Sequence, residues 1–598
     1  MPTEANPPAS KSAGKSFEGQ AEVEPIVGSL EREAALLRES VTSVQRHGVR
    51  KPLGKLVPAI LGSTLFLLNN LGVIHALVAP PAGYSPLGVQ RNIDVAQYLT
   101  WLGGLKTGWI LPNYHAPWLT PPGLIVPGLF PVAVLERLFS VKQVVALQLF
   151  SLGGYVAAAY ALAFAYRTFF KTPKQAFRAF LISLTCVPLA SLPGVFKLFQ
   201  NVHWALPVLG NSAGAYEFII VSEGLLHGLI TWPFLTYGTC GQVLAMSLLA
   251  RYGCSRELRW FRWLAVVCFF AAIIHPFEAF VTVPVAVIVL LQEAEPIARR
   301  LARISIILAA AGAGLFPYLI QSFCVPWLDE VTTANRPNLY IPPAYLLAAL
   351  GVPTILVVLL LLFGLPKSQN RDVLVLKTWF VSTLLVFYVP GLPFAMHLLD
   401  GVFIAIGMLL AVQVQELLES QPILAQPVLR FLILIAVIWM VFPHVLFRAQ
   451  CWREGTAISK IKFASAIAPN DEFAALEWLR KNAGPSDLVL ASEQTAPWVA
   501  TAPVHSFASH WLFSSSRTRP GDAELRALFF EGRLPSERAH ELLETLGVRF
   551  VVVPDGSGAR SYLENATVRA HFNSTAIYEL PGAHMKNYGD SRIVQLGQ

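Results

Sequence analysis

The sequence has little charge for its length. Of its 598 residues only 14% are Asp, Glu, Lys or Arg, whereas 54% are hydrophobic. A soluble chain of this size could not hide that much apolar surface. It lacks a disulfide framework and a zinc signature. The six cysteines (Cys186, Cys240, Cys254, Cys268, Cys324 and Cys451) form no CxxC pair and lie mostly in apolar blocks. It has no GxGxxG and no P-loop, so no nucleotide cradle is visible. The first fifty residues are polar, rich in Pro, Ser, Gly and Glu, and carry no apolar signal-peptide core. Residues 1–52 therefore read as a largely disordered tail, with room for a short helix at "LEREAALLRES". No basic face is interleaved with exposed aromatics, so nucleic acid is not an expected partner.

What is present is a series of long apolar blocks separated by short basic loops, the pattern of a multi-pass membrane protein. The net charge of +8 then works as a topology signal. "QRHGVRKPLGK" before the first block, Leu56 to Ala79, places the N-terminus in the cytoplasm. "YRTFFKTPKQAFR" is the next strongly basic loop, so two crossings separate them: Leu56–Ala79 outward and Val144–Ala165 back. The first outer loop, residues 80–143, stays on the far side because Pro122, Pro127 and Pro131 argue against a span. The tract Trp263 to Gln292 is roughly 45 Å long as a helix, too much for one crossing. It reads as a hairpin turning at "HPFE", His275 to Glu278. Continued to Pro443, the alternation gives about eleven transmembrane helices in residues 53–452 and puts residues 453–598 outside.

That last part reads as a small soluble α/β domain. "NDEFAALEWLRKNAGP" has acids in its first turn, cations in its last and a Gly-Pro stop, which predicts a helix. "DLVLAS" and "VRFVVV" predict buried strands. "LPSERAHELLETLG" predicts a helix with Ser536 at its N-cap. "AIYEL" and "RIVQL" add candidate strands, and "NAT" (Asn565) and "NST" (Asn573) fit the sequon pattern.

The stretch "RNIDVAQYLTWLGGLKTGWILPNYHAPWLTPPG", Arg91 to Gly123, follows the first block. Asp94, Tyr98, Trp101 and Leu105 recur at i, i+4, i+7 and i+11, one face of a helix. Such a helix could lie on the outer membrane surface with its aromatics at headgroup level. Asp94 is then either a helix cap or a general base at the membrane surface.

A long first outer loop with an early acid and a Pro-rich amphipathic helix resembles membrane glycosyltransferases of the GT-C fold. Further pieces resemble that group in order: "AYEFIIVSEGLLHGLITWP", "IIHPFEAF", "TTANRPNLYIPPAYLLAALG", "LPFAMHLLDGVFIAIGMLLA" and "LEWLRKNAGPSDLVLAS". The resemblance runs from Asp94 to about Leu580, and its nearest kin are uncharacterised bacterial proteins. It departs from the usual pattern in two places. Asp94 stands alone where many relatives have adjacent acids, and His397 stands where relatives often have Arg.

The resemblance implies a polytopic α-helical membrane protein of the bacterial cytoplasmic membrane with an extracytoplasmic α/β domain. It implies transfer of a sugar from a polyprenyl-phosphate donor to an acceptor on the outer face. Asp94 is the expected catalytic acid–base residue, with Glu217 as a second acid that orients substrate or shares a divalent metal with Asp94. Cations must meet the departing phosphate, and the outer-loop candidates are Arg91, Lys106, Lys197, Arg336 and His397. Tyr98, His115, His275 and Glu278 complete the expected substrate-binding set. A polyprenyl-linked sugar and membrane lipids are the expected partners, and no cofactor beyond that metal is implied. Two other classes stay open. A transporter or flippase calls for ionisable groups at mid-membrane and an internal repeat, and the apolar blocks offer almost none of the first and none of the second. A GT-C scaffold without catalysis is the other.

Overall fold

The structure, a computed structural model, describes residues 53–90, 93–184, 186, 233–329, 350–367, 370–390, 401–420, 466–509 and 521–583, together with 343, 346, 347, 392 and 395–399. The chain divides into two units, Met1–Val57 and Pro58–Gln598.

Helices α1 (Leu53–Asn69) and α2 (Leu71–Val78) meet at a 62° bend. The first apolar block is thus two helices rather than one straight span. The break falls at two polar residues: Asn69 donates to the Tyr155 hydroxyl at 2.8 Å and Asn70 to the Phe66 carbonyl at 3.0 Å. A short strand β1 (Tyr84–Pro86) and helix α3 (Ile93–Gly104) follow. The Pro-rich segment beyond them is a loop ending in a 3-10 turn (Pro127–Leu129) and the ten-residue helix α4 (Phe130–Phe139), so it makes no crossing.

The bundle continues with α5 (Gln143–Phe169), α6 (Pro173–Leu184), α7 (Pro233–Ser255), α8 (Leu258–Ile274), α9 (Phe277–Leu291), α10 (Ile297–Cys324), α11 (Val352–Leu362) and α12 (Arg371–Phe387). A 3-10 turn (Ala395–Leu399) then leads into α13 (Val402–Ser420). The long tract is a helical hairpin broken at His275–Pro276, as its length requires. Among the described residues three helices alone are long and apolar enough to cross a bilayer, and the bent pair makes a fourth. The chain is a multi-pass membrane protein. The expected last span, Phe431–Pro443, lies outside the described residues.

Hydrogen bonds and ion pairs tie the basic ends of the helices together. Arg251 on α7 donates to the Thr168 hydroxyl at 3.1 Å and the Arg167 carbonyl at 3.3 Å on α5. Arg371 on α12 donates to the Gln292 carbonyl at 2.8 Å. Glu293, buried just past α9, pairs with Arg256 and lies 4.0 Å from Arg371. Glu295 pairs with Arg303, whose guanidinium lies 5.1 Å from the Tyr252 ring. One carboxylate cluster therefore fastens the ends of α7, α9, α10 and α12 at the face where like charges would otherwise repel.

The carboxy-terminal part carries β2 (Ile467–Pro469), α14 (Asn470–Asn482), β3 (Leu488–Ala491), α15 (Ala496–Val499), β4 (His505–Ser506), α16 (Asp522–Glu531), α17 (Ser536–Leu546), β5 (Val548–Pro554), β6 (Thr567–Phe572) and β7 (Thr575–Glu579). Five of these strands form one sheet in the order β4-β3-β5-β7-β6. β3 runs parallel to β4 and β5, while β5–β7 and β7–β6 are antiparallel. All four residues of β3 are buried, which is why it reads as an unbroken apolar run. In α14 the acids Asp471 and Glu472 and the cations Arg480 and Lys481 sit at the ends the helix dipole favours. Ser536 is not the N-cap of α17: Pro535 holds that place and no side chain caps it.

Replacing Glu293 by Ala leaves Arg256 and Arg371 facing each other without their shared carboxylate. We expect a loss of about 2 kcal/mol in an unfolding titration, below the value for a fully buried pair because Arg256 is 38% exposed. Arg533→Ala, which breaks an exposed pair with Glu531, should cost less than about 1 kcal/mol. Equal losses would remove the special role of Glu293.

Candidate active site

The end of the bundle opposite the basic cluster is where the first long loop, the α8–α9 turn and the carboxy-terminal sheet come together. Asp94 lies in the first turn of α3, inside the helix rather than at its cap. Tyr98, one turn on, faces the same way: burial, with a smaller contribution from the Asp94 charge, holds its phenol well above the ordinary value. Trp101 stands 6.0 Å from the Tyr98 ring.

α3 packs one face into the protein. Ala96, Gln97, Leu99, Thr100 and Leu102 are buried. Leu99 and Leu102 share one apolar core with Leu111 and Leu124 of the same loop, Val325 and Trp327 after α10, and Trp498, Val499, Phe550 and Ile577 of the carboxy-terminal part. Gly104 lets the chain turn back, since a Cβ there would come within 2.9 Å of Leu111 and 3.0 Å of Tyr114. β1 pairs antiparallel with β2, and the Ser506 amide donates to the Tyr114 carbonyl at 2.9 Å.

His115 belongs to this joint. It is buried, and its Nδ1 lies 2.5 Å from the Ser509 hydroxyl oxygen. Ser509 donates to the Ser506 carbonyl at 3.1 Å, so His115 Nδ1–H is the donor to Ser509. The joint also uses a residue that sequence reasoning left without a place. His505, on β4, donates from Nδ1 to the Ala116 carbonyl at 3.1 Å and packs 5.5 Å from the Tyr114 ring. No periodicity signals it, because its partners lie almost four hundred positions away.

His275, Glu278 and His397 come together. Glu278 is 1% exposed and lies 2.7 and 2.8 Å from His275 Nδ1 through its two oxygens. A single proton sits between them, on Nδ1 when the carboxyl is ionised. The His397 ring stands edge-on to His275 at 5.4 Å and stacks on Phe277 at 4.9 Å. Gly238 on α7 makes the room, since a Cβ there would collide with the Glu278 carboxylate. The two polar residues of the turn are thus paired side chain to side chain. Next to it, Tyr318 donates to the Ile273 carbonyl at 2.8 Å, and Gln321 accepts from the Ile125 amide at 2.7 Å. These two polar residues of α10 look unremarkable in sequence, yet they bind the hairpin and the first loop to one helix.

Lys106 is paired with Glu136 of α4 at 2.8 Å. Arg91, Lys197, Glu217 and Arg336 lie outside the described residues. Among the described residues no group of three or more His, Cys, Asp or Glu is placed to hold a metal ion.

No family model matches the sequence, and no curated protein does. Solved structures do. Arabinofuranosyltransferase AftD from mycobacteria superposes with a TM-score of 0.51 at 13% identity, over 89% of this chain and 42% of its own. The chain has the GT-C fold. It spans well under half the length of that mycobacterial enzyme. ArnT from Cupriavidus metallidurans bound to undecaprenyl phosphate gives 0.46 at 11% identity, over 89% and 99%. The Archaeoglobus fulgidus oligosaccharyltransferase tethered to an acceptor peptide gives 0.41 at 13%, over 84% and 69%.

In this GT-C chain the joint between first loop and sheet has a pH limit that can be measured. Burial pushes His505 down to about 4, partly offset by its bond to the Ala116 carbonyl. The native state thus holds His505 neutral. Its contribution is intact above the unfolded value of about 6.5 and is lost as pH falls from there toward about 4, a total of about 3 kcal/mol. Melting curves at pH 7 and pH 5 should differ by about 2 kcal/mol more in the wild type than in His505→Gln. Identical pH dependence in the two proteins would contradict the buried neutral ring.

Proposed function

We propose that the chain is a membrane glycosyltransferase that moves a sugar from a polyprenyl-phosphate donor to an acceptor at the outer face of a bacterial cytoplasmic membrane. The observation that carries the reading is the placement of Asp94: a carboxylate at a helix start, inside the loop that the GT-C bundle and the carboxy-terminal sheet enclose together. The N-terminus is then cytoplasmic, with the α/β part and the first loop outside, in line with the basic cluster at the opposite end. About eleven spans, counting those outside the described residues, complete that arrangement. A lipid-borne donor needs no nucleotide cradle, in keeping with the missing GxGxxG and P-loop.

The chemistry follows from charge. Asp94 accepts the proton of the acceptor hydroxyl as that oxygen bonds to the sugar's anomeric carbon. The bond from that carbon to the phosphate oxygen breaks, and the prenyl phosphate leaves with the electron pair. The departing anion needs positive charge or donors already in place. His397, beside the His275–Glu278 pair, is one such group, and Arg91, Lys106 and Arg336 are the permanent cations. His275 is oriented by Glu278, whose two oxygens hold Nδ1 and leave Nε2 as the other polar atom of the ring. Tyr98 and His115 shape the loop wall. Glu217 is the proposed second acid.

Asp94→Asn keeps the size and the helix-start preference but cannot take a proton. With a polyprenyl-phosphate sugar in a reconstituted assay, turnover should fall roughly a hundredfold or more, with little change in thermal stability. Near-normal transfer would return Asp94 to a structural role at the start of α3.

A further inference from the structure

Gln242, in the middle of α7, is wholly buried, and neither atom of its amide has a hydrogen-bond partner among the described residues. A buried amide of that kind costs stability that an apolar side chain of the same shape would not, so its place calls for a reason. The reason is what its oxygen meets. Gly401, at φ +78°, joins the 3-10 turn that carries His397 to α13. A Cβ on Gly401 would fall on Gln242 Oε1. A glycine alone fits there, with a Cα–H turned toward the amide oxygen. The Gly401 carbonyl also accepts from the Ile404 amide at 3.0 Å, so the residue that meets Gln242 is the one that starts α13.

The same face of α7 takes the other half of the cluster. Gly238, one turn before Gln242, makes room for the Glu278 carboxylate, which in turn holds His275. Leu398 and Leu399, just after His397, are buried in the bundle core with Val402 and Phe403. The 3-10 turn therefore cannot shift without moving Gly401 against Gln242. One stripe of α7 sets the places of both histidines, Gly238 by leaving space and Gln242 by filling it. The titratable groups that face His397 are His275, 5.4 Å away ring to ring, and its partner Glu278. α12 also packs on the 3-10 turn, but its Asp372 and Lys377 lie in its first two turns, at the basic end, and Tyr388 follows its last. Asp400 lies outside the described residues.

We propose that Gln242 is a positioning residue for the lipid phosphate. Acting through Gly401, it sets the His397 ring against the His275–Glu278 pair, and with it the affinity for a prenyl phosphate. Gln242 itself touches neither phosphate nor sugar. The inference rests on the reading of this cluster as the seat of the departing phosphate.

The test measures farnesyl phosphate binding to the full chain in nanodiscs between about pH 8 and about pH 6, where a histidine gains its charge. The wild type should bind severalfold more tightly at the lower pH, and His397→Gln should lose that gain. Gln242→Ala, which removes the seat, and Gly401→Ala, which collides with it, should each weaken binding at the lower pH about tenfold and flatten the pH dependence. With both changes together, the added methyl enters the space that the shortened side chain leaves. The double variant should therefore bind within about threefold of the wild type and regain the pH dependence. Melting temperatures are read alongside, and if Gly401→Ala alone does not fold, the double variant must fold and bind. Losses that add in the double variant would overturn the proposal, as would Gln242→Ala with wild-type affinity and pH dependence. A wild type that binds no farnesyl phosphate would instead overturn the reading of the cluster as a phosphate seat, and this inference with it.

Discussion

Leu99, Leu102, Leu111 and Leu124 of the first loop are packed into the same apolar core as Trp498 and Val499 of α15 and Phe550 and Ile577 of the carboxy-terminal sheet. Almost everything at that end of the molecule depends on this contact. Each buried leucine is worth about 1.5–3 kcal/mol, so loop and sheet cannot separate without exposing a large apolar surface. The hydrogen bonds from Ser506 to Tyr114 and from His505 to Ala116 close the seam, and β1 pairing with β2 adds a second one. The sheet and the loop that carries Asp94 form one body.

The bundle beneath is fastened at its two ends by different physics. At the basic end, Glu293 and Glu295 neutralise arginines from several helices. At the other, the polar groups are fewer and deeper: Glu278 with His275, His397 stacked on Phe277, and Gln321 reaching the first loop. A buried carboxylate is tolerated where a partner and a gap in the neighbouring helix are provided, and Gly238 is that gap. In the proposed reaction this second cluster faces the leaving group while Asp94 faces the acceptor, so the loop–sheet joint sets the distance between them.

Much of this was legible in the sequence because it rests on length, charge and local spacing. The hairpin at His275–Pro276 followed from a tract too long for one crossing. The Pro-rich segment after α3 stayed uncrossed for the reason its prolines gave, and α14, β3 and β5 sit where their patterns put them. What was not legible depends on contacts far apart in the chain. Periodicity gave α3 an amphipathic face but not its packing against α15, far along the chain. His115 looked like a substrate ligand and is enclosed against Ser509. Ser536 looked like a cap and is preceded by a proline that takes the position. Beside the bend, Asn69 donates to Tyr155 on another helix, a partner the local sequence does not show.

The central claim is that this end of the GT-C bundle receives a polyprenyl-phosphate donor. The most direct measurement is the identity of lipid that stays with the full chain through gentle purification, read by mass spectrometry of the extract and compared with that from Asp94→Asn. The account predicts a prenyl phosphate or its sugar ester in both, with the sugar-bearing form enriched in Asp94→Asn because turnover is blocked after binding. Preparations that carry ordinary phospholipid but no prenyl phosphate, even after the donor is supplied, would contradict it.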